Sequence, residues 1–182
     1  IYFCRCLSLA SKGLVEYRPR RGSFVKLPDR EEMEQFYEAR IALESFAAAK
    51  AAERVDDACL AELEKLHEDL LGTVRECRRQ PDKVADQELT DRFLKIDLDF
   101  HLHILTMAGN PKILAMVHDC KILIRVFGHV PIEHDLRLMA NTHRQHASII
   151  KSIRRQDPDG ARDRMVHHIL AAQTAVLGGS ED

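Results

Sequence analysis

The sequence predicts an all-α protein, an antiparallel bundle of six or seven helices preceded by a short β-hairpin. Three observations carry that expectation. From residue 30 to residue 177 apolar residues recur at intervals of three and four, the period of one helix face. The breaks in this pattern are short and marked by Pro, Gly or Asn, so successive long helices must double back on their neighbours. Before residue 28 the pattern changes to two β-prone runs around a Pro/Gly turn.

The hairpin comes first in the chain. Leu14-Val15-Glu16-Tyr17 and Ser23-Phe24-Val25-Lys26 flank the turn Arg18-Pro19-Arg20-Arg21-Gly22. Upstream, Leu7 to Lys12 reads as the last turns of a helix, with Gly13 at its C′ position. Helix, glycine and basic hairpin in that order describe the end of a winged helix-turn-helix. Residues 1–28 are therefore expected to be a partial unit of that kind, and residues 29–182 a separate helical domain. Pro28 punctuates the chain, and Asp29 is placed to cap the first long helix. The helical segments expected after it are 30–53, 57–79, 87–108, 111–128, 133–156 and 159–177. Gln80-Pro81-Asp82, Gly109-Asn110-Pro111, Val130-Pro131 and Asp157-Pro158-Asp159-Gly160 mark breaks between them.

Composition bounds the function classes. A net charge of −2 excludes a uniformly basic nucleic-acid coat. The charge is uneven, however: residues 1–28 hold Arg5, Lys12, Arg18, Arg20, Arg21 and Lys26 against the single acid Glu16, as expected of a phosphate-facing element. No apolar run approaches the roughly 20 residues that span a bilayer, and no signal peptide opens the chain, so a cytoplasmic protein is expected. Cys4, Cys6, Cys59, Cys77 and Cys120 are odd in number and lack CxxC spacing, which predicts reduced thiols and no thiolate zinc site. The first residue is Ile1, which predicts a piece of a longer protein.

The informative residues are polar ones on apolar stripes. The third helix carries Phe93, Ile96, Phe100, Ile104 and Ala108 on one face, and Asp97 and His101 fall inside that face, one turn apart. An isolated carboxylate in an apolar interior is costly and calls for a cation, a donor or a metal. The fifth helix shows Leu136, Met139, His143, His146, Ile150 and Ile153 in the same way, with two histidines inward. The last shows Ala161, Met165, His168, Ala172 and Ala175, while His167 points about 100° away. A single inward histidine is more often hydrogen-bonded to a carbonyl than bound to a metal. Convergence from three helices is how bundles build metal sites, and it points to a divalent ion held by one Asp and His nitrogens. Such a donor set suits zinc first, with nickel, manganese or iron as alternatives. His67, His103, His118, His129, His134 and His167 show no such convergence and receive no role.

In these features the chain resembles the GntR regulators of the FadR subfamily, whose C-terminal effector domain is called FCD. The resemblance covers most of the chain. It runs through Gly13-Leu14-Val15 and Arg20-Arg21-Gly22-Ser23-Phe24-Val25, then Tyr37-Glu38-Ala39-Arg40 with Leu43-Glu44. Asp97-Leu98-Asp99-Phe100-His101 and Ala108-Gly109-Asn110-Pro111 follow, then His146 with Ile149, Ile150 and Asp157, and finally Ala161, Met165 and His168. It implies a metal held by Asp97, His101, His146 and His168. Within it His146, rather than His143, stands at the family's distance before Asp157. Asp99, two residues from His101, faces the other side of the helix.

The resemblance further implies a small carboxylate or sugar-acid effector beside the metal, with an arginine completing the pocket. Arg40 leads, lying with Glu44 on the inward stripe Met33, Phe36, Tyr37 and Ala47. A bidentate grip on the effector and an Arg40–Glu44 ion pair are equally open to it. Arg125, in the apolar run Ile122 to Val130, is the second candidate. Regulators of this type read paired half-sites, so a homodimer on operator DNA is implied, with Arg18, Arg20 and Arg21 on the wing contacting phosphate or minor groove. One departure stands out. Where the family has a recognition helix rich in Arg and Leu, this chain opens with Ile1-Tyr2-Phe3-Cys4-Arg5-Cys6, so the chain as given is expected to bind operator poorly. The rival from another class is a metal-dependent hydrolase, suggested by the adjacent pairs His118-Asp119 and His134-Asp135.

Overall fold

The computed structural model describes residues 15–18, 22–25, 29–118 and 133–178. Strand β1 (Val15–Arg18) pairs antiparallel with β2 (Gly22–Val25), Val15 opposite Val25 and Arg18 opposite Gly22. Gly22 takes φ +97°, a backbone conformation that side chains with a Cβ disfavour, and this lets the chain leave the turn straight into β2.

Five helices follow in full: α1 (Arg30–Arg54), α2 (Asp57–Cys77), α3 (Gln87–Met107), α4 (Leu136–Arg154) and α5 (Pro158–Leu177). Residues 111–118 are helical as well. One device starts all five. The aspartates Asp29, Asp56, Asp86, Asp135 and Asp157 each accept a hydrogen bond from the backbone N–H three residues on, satisfying a donor that the first turn leaves without a partner. At Asp29 the bond is reciprocated by Glu32, a full capping box.

The expected segments correspond to these helices with shifted ends. The fourth segment is helical through residue 118, and the rest of 111–128 lies outside the described residues. The fifth begins at Leu136 rather than 133, because the chain before it is otherwise engaged. His134 offers its carbonyl to Ala85 N–H, Leu136 N–H reaches Lys83, and Asp135 is the cap.

Turn geometry sets how the helices meet. At the end of α4, Gln156 N–H bonds to Ile153 and Asp157 N–H to Ser152, with Gln156 at φ +52°. This is a Schellman stop without glycine, and Asp157 is at once its last residue and the cap of α5. Two antiparallel helices are thereby fixed with almost no slack. Gly109, at φ +68°, serves a similar turn after α3, and a Cβ there would stand 2.6 Å from the Arg54 guanidinium that bonds to Ala108.

α1 packs along α5, its first residue Arg30 reaching the Leu177 carbonyl at the far end of that helix. α4 lies between α2 and α5. The main core gathers Tyr37, Leu63, Phe100, Ile104, Ile149, Ile153, Met165 and Ile169 from all five helices. Cys59 and Cys77 are free thiols, and the other three cysteines lie outside the described residues.

Candidate metal centre

Of the eight polar or charged residues buried among the described residues, three are the hydroxyl residues Ser45, Thr73 and Ser152. The other five meet at one place: Arg40 and Glu44 on α1, His101 on α3, His146 on α4 and His168 on α5. Asp97 on α3 joins them with a side chain 23% exposed, so it stands at the mouth of the cluster.

One ligand atom from each of Asp97, His101, His146 and His168 lies within 4.8 Å of the other three. The Nε2 atoms of His101 and His168 are 3.0 Å apart, and those of His146 and His168 are 3.4 Å apart. Asp97 Oδ1 stands 3.2 Å from His146 Nε2 and 3.7 Å from His101 Nε2. Around an ion with bonds of about 2.1 Å, neighbouring ligand atoms lie about 3.0 Å apart in an octahedral arrangement and about 3.4 Å apart in a tetrahedral one. The spacings fit a single small divalent cation.

The far side of two rings is also held. His101 Nδ1 lies 2.5 Å from Glu44 Oε2, and His168 Nδ1 lies 2.9 Å from Gln145 Oε1. Phe100 stacks face to face on the His146 ring, centroids 3.8 Å apart and planes 6° apart. Burial pushes the His168 pKa well below 6.5, and the neighbouring His146 and His101 push the same way, so its imidazole is neutral and able to ligate.

Arg40 donates through Nε to Glu44 Oε1 at 2.7 Å, so the ion pair weighed in the sequence is present. Burial opposes its charge, but the Coulomb attraction and hydrogen bond of Glu44 outweigh that and raise its pKa above the ordinary value. The same burial raises Tyr37 to about 12, so the phenol beside Arg40 stays protonated.

The other candidates fall elsewhere. His143 turns toward α2 and stacks on His67, centroids 4.0 Å apart, leaving His146 for the cluster. Asp99 faces outward to Lys95. His134 packs edge-on against Phe93 and Asp135 caps α4, so this His-Asp pair has structural work. His103 bonds to the Cys59 carbonyl, and His118 and His167 are exposed. Arg18 ends β1, while Arg20, Arg21, Arg125, His129 and Asp119 lie outside the described residues. Glu44, Gln145 and Phe100 had no role in the sequence beyond stripe and pairing. An inward carboxylate opposite an inward histidine was the available signal for Glu44.

Burial lowers the pKa of His143, and the facing His67 and nearby Arg75 lower it further against an opposing Glu68. In the window between that depressed value and 6.5 the unfolded chain holds the extra proton, so stability rises with pH there and levels off above. His143→Leu should lessen this slope in urea unfolding of the metal-free chain, leaving the part that the buried His168 contributes with the same sign, whereas an unchanged slope would place the acid sensitivity at His168 or elsewhere.

The FCD domain model matches residues 35–171. The chain belongs to the FCD family. The HTH-type transcriptional repressor RspR of Escherichia coli is 24% identical over 180 residues, spanning 93% of this chain and 69% of the repressor. The HTH-type transcriptional repressor NanR of Citrobacter rodentium is 29% identical over 147 residues, 79% of this chain and 51% of its own. Among solved structures, McbR/YncC of E. coli superposes with a TM-score of 0.77 at 16% identity, covering 96% of this chain and 82% of that one. A Streptococcus agalactiae GntR protein does so with a TM-score of 0.63 at 22% identity, covering 92% and 78%. This FCD protein is thus a transcription regulator with an effector-binding domain and not an enzyme, and nothing in its relatives supports a metal-dependent hydrolase. Among the described residues no helix is long and apolar enough to cross a membrane.

Proposed function

We propose that this FCD protein senses a small organic or sugar acid through a divalent metal held by Asp97, His101, His146 and His168. The observation that carries the reading is the convergence of one carboxylate oxygen and three Nε2 atoms within 4.8 Å in a nearly closed interior. Zinc suits the nitrogen and oxygen donors best, and nickel, manganese and iron are the alternatives. When bound, the ion supplies a positive centre for an incoming carboxylate, which enters on the open side at Asp97. Arg40 commits Nε to Glu44, and its charge is felt at both Asp97 and His168, which supports its guanidinium as the group that grips the same carboxylate. Arg125 is the second arginine proposed for the effector.

Signal leaves along α1, whose cap Asp29 lies a few residues after β2. In the homodimer we propose, the bundle sets the spacing of two winged helices on operator DNA, with Arg18, Arg20 and Arg21 on the phosphates. The test is thermal unfolding with and without zinc across a panel of mono- and dicarboxylates. A true effector at a hundredfold excess over its dissociation constant should add about 2.7 kcal/mol of stability to the zinc-loaded chain and nothing to the metal-free chain. Equal shifts in both forms would mean that the ion plays no part in recognition.

A further inference from the structure

Three ring nitrogens that meet at one point must all present lone pairs there, and a neutral imidazole presents a lone pair at only one of its two nitrogens. Which nitrogen that is depends on the hydrogen bond made by the other. The residues on the outer side of the cluster therefore matter as much as those inside it.

We propose that Glu44 and Gln145 are positioning residues that set the tautomers of His101 and His168, and that Arg40 orients Glu44 for the task. The proposal rests on reading the cluster as a metal site. Glu44 is a carboxylate and can only accept, so at the 2.5 Å contact with Oε2 a proton of His101 is on Nδ1, and the neutral ring, the form that ligates, then turns its Nε2 lone pair inward. Gln145 Oε1, at 2.9 Å, accepts from His168 Nδ1 to the same effect. With both rings neutral in these tautomers, two lone pairs face each other across 3.0 Å, an arrangement that a shared cation relieves. Arg40 bonds to the opposite oxygen of Glu44, Oε1, at 2.7 Å, which leaves Oε2 turned to His101. Glu44 is buried with its carboxylate split between these two donors, and both Glu44 and Arg40 are on α1, the helix that follows the hairpin.

Glu44→Gln makes the claim sharp. Arg40 can only donate, so it selects the amide oxygen of the new side chain, and the amide NH₂ is left facing His101 Nδ1. That contact is favourable only if Nδ1 gives up its proton, which moves to Nε2 and closes the lone pair the metal needs. In the metal-free chain, ¹⁵N-histidine spectra at neutral pH should show His101 protonated on Nδ1 in the parent and on Nε2 in Glu44→Gln. Zinc affinity, by competition with a chelating dye, should fall by about 10–100-fold. Glu44→Asp, which keeps an acceptor, should retain the parent tautomer. Gln145→Leu, at a half-buried position on α4, should release the His168 tautomer alone, so the idea can be read even if Glu44→Gln does not fold. Parent-like tautomers and parent-like zinc affinity in both Glu44→Gln and Gln145→Leu would overturn it. A parent chain that binds no zinc, with the His101 tautomer still switching in Glu44→Gln, would sink the metal reading and leave the positioning role standing.

Discussion

His146→Ala and His168→Ala should each strip the chain of its metal. Purified without chelator, the parent should carry about one divalent ion per subunit, because four ligands from three helices close around one point. Either substitution removes a buried nitrogen whose neighbours stand 3.0–3.4 Å away, and no other donor in the described core is placed to replace it. Elemental analysis after gel filtration should therefore fall from about one ion per subunit to background in both variants. His143→Ala is the control. Its ring stacks on His67, away from the cluster, and metal content should stay at the parent level. A metal-free parent, or a His143→Ala that loses metal as His146→Ala does, would remove the basis for the site.

That control marks where the sequence stopped being legible. Periodicity brought His143 and His146 inward together, since the two are three residues apart on one apolar arc. α4 is sandwiched between α2 and α5, so its inward arc serves two neighbours: the His143 end meets α2, and the His146 end meets α3 and α5. A one-dimensional stripe cannot divide an arc between two partners, and the resemblance to a family was what chose between them. Asp97, His101 and His168 raised no such difficulty, because each sits in the middle of a stripe. The hairpin and the Asp29 cap were legible from local chemistry alone. Gln145 was not, because it lies at the edge of its stripe and meets His168 only through the register of α4 against α5. That register is fixed by the non-glycine turn at Gln156, which carries no sequence signature.

Arg40 was the position at which two sequence readings stood level, and its substitution is expected to have the largest effect on stability. Arg40→Met keeps the apolar stem and removes the guanidinium from a site only 5% exposed. Glu44 would then keep its charge in the interior without the Nε donor at 2.7 Å, and breaking a buried pair from one side costs about 3–5 kcal/mol. Urea unfolding of the metal-free variant should show a loss of that order, with an unchanged dependence on denaturant. Adding Glu44→Gln should recover most of it, because the buried charge that lost its guanidinium partner is gone, even though the metal site is then impaired. The double variant thus separates the two things Arg40 does. If Arg40→Met were nearly as stable as the parent, Glu44 would be neutralised by other means, and the guanidinium would be free for an effector. If stability falls as expected and the carboxylate-dependent thermal shift disappears as well, one arginine both holds Glu44 against His101 and grips the effector. Metal, effector and the first helix after the hairpin would then share a single charged group.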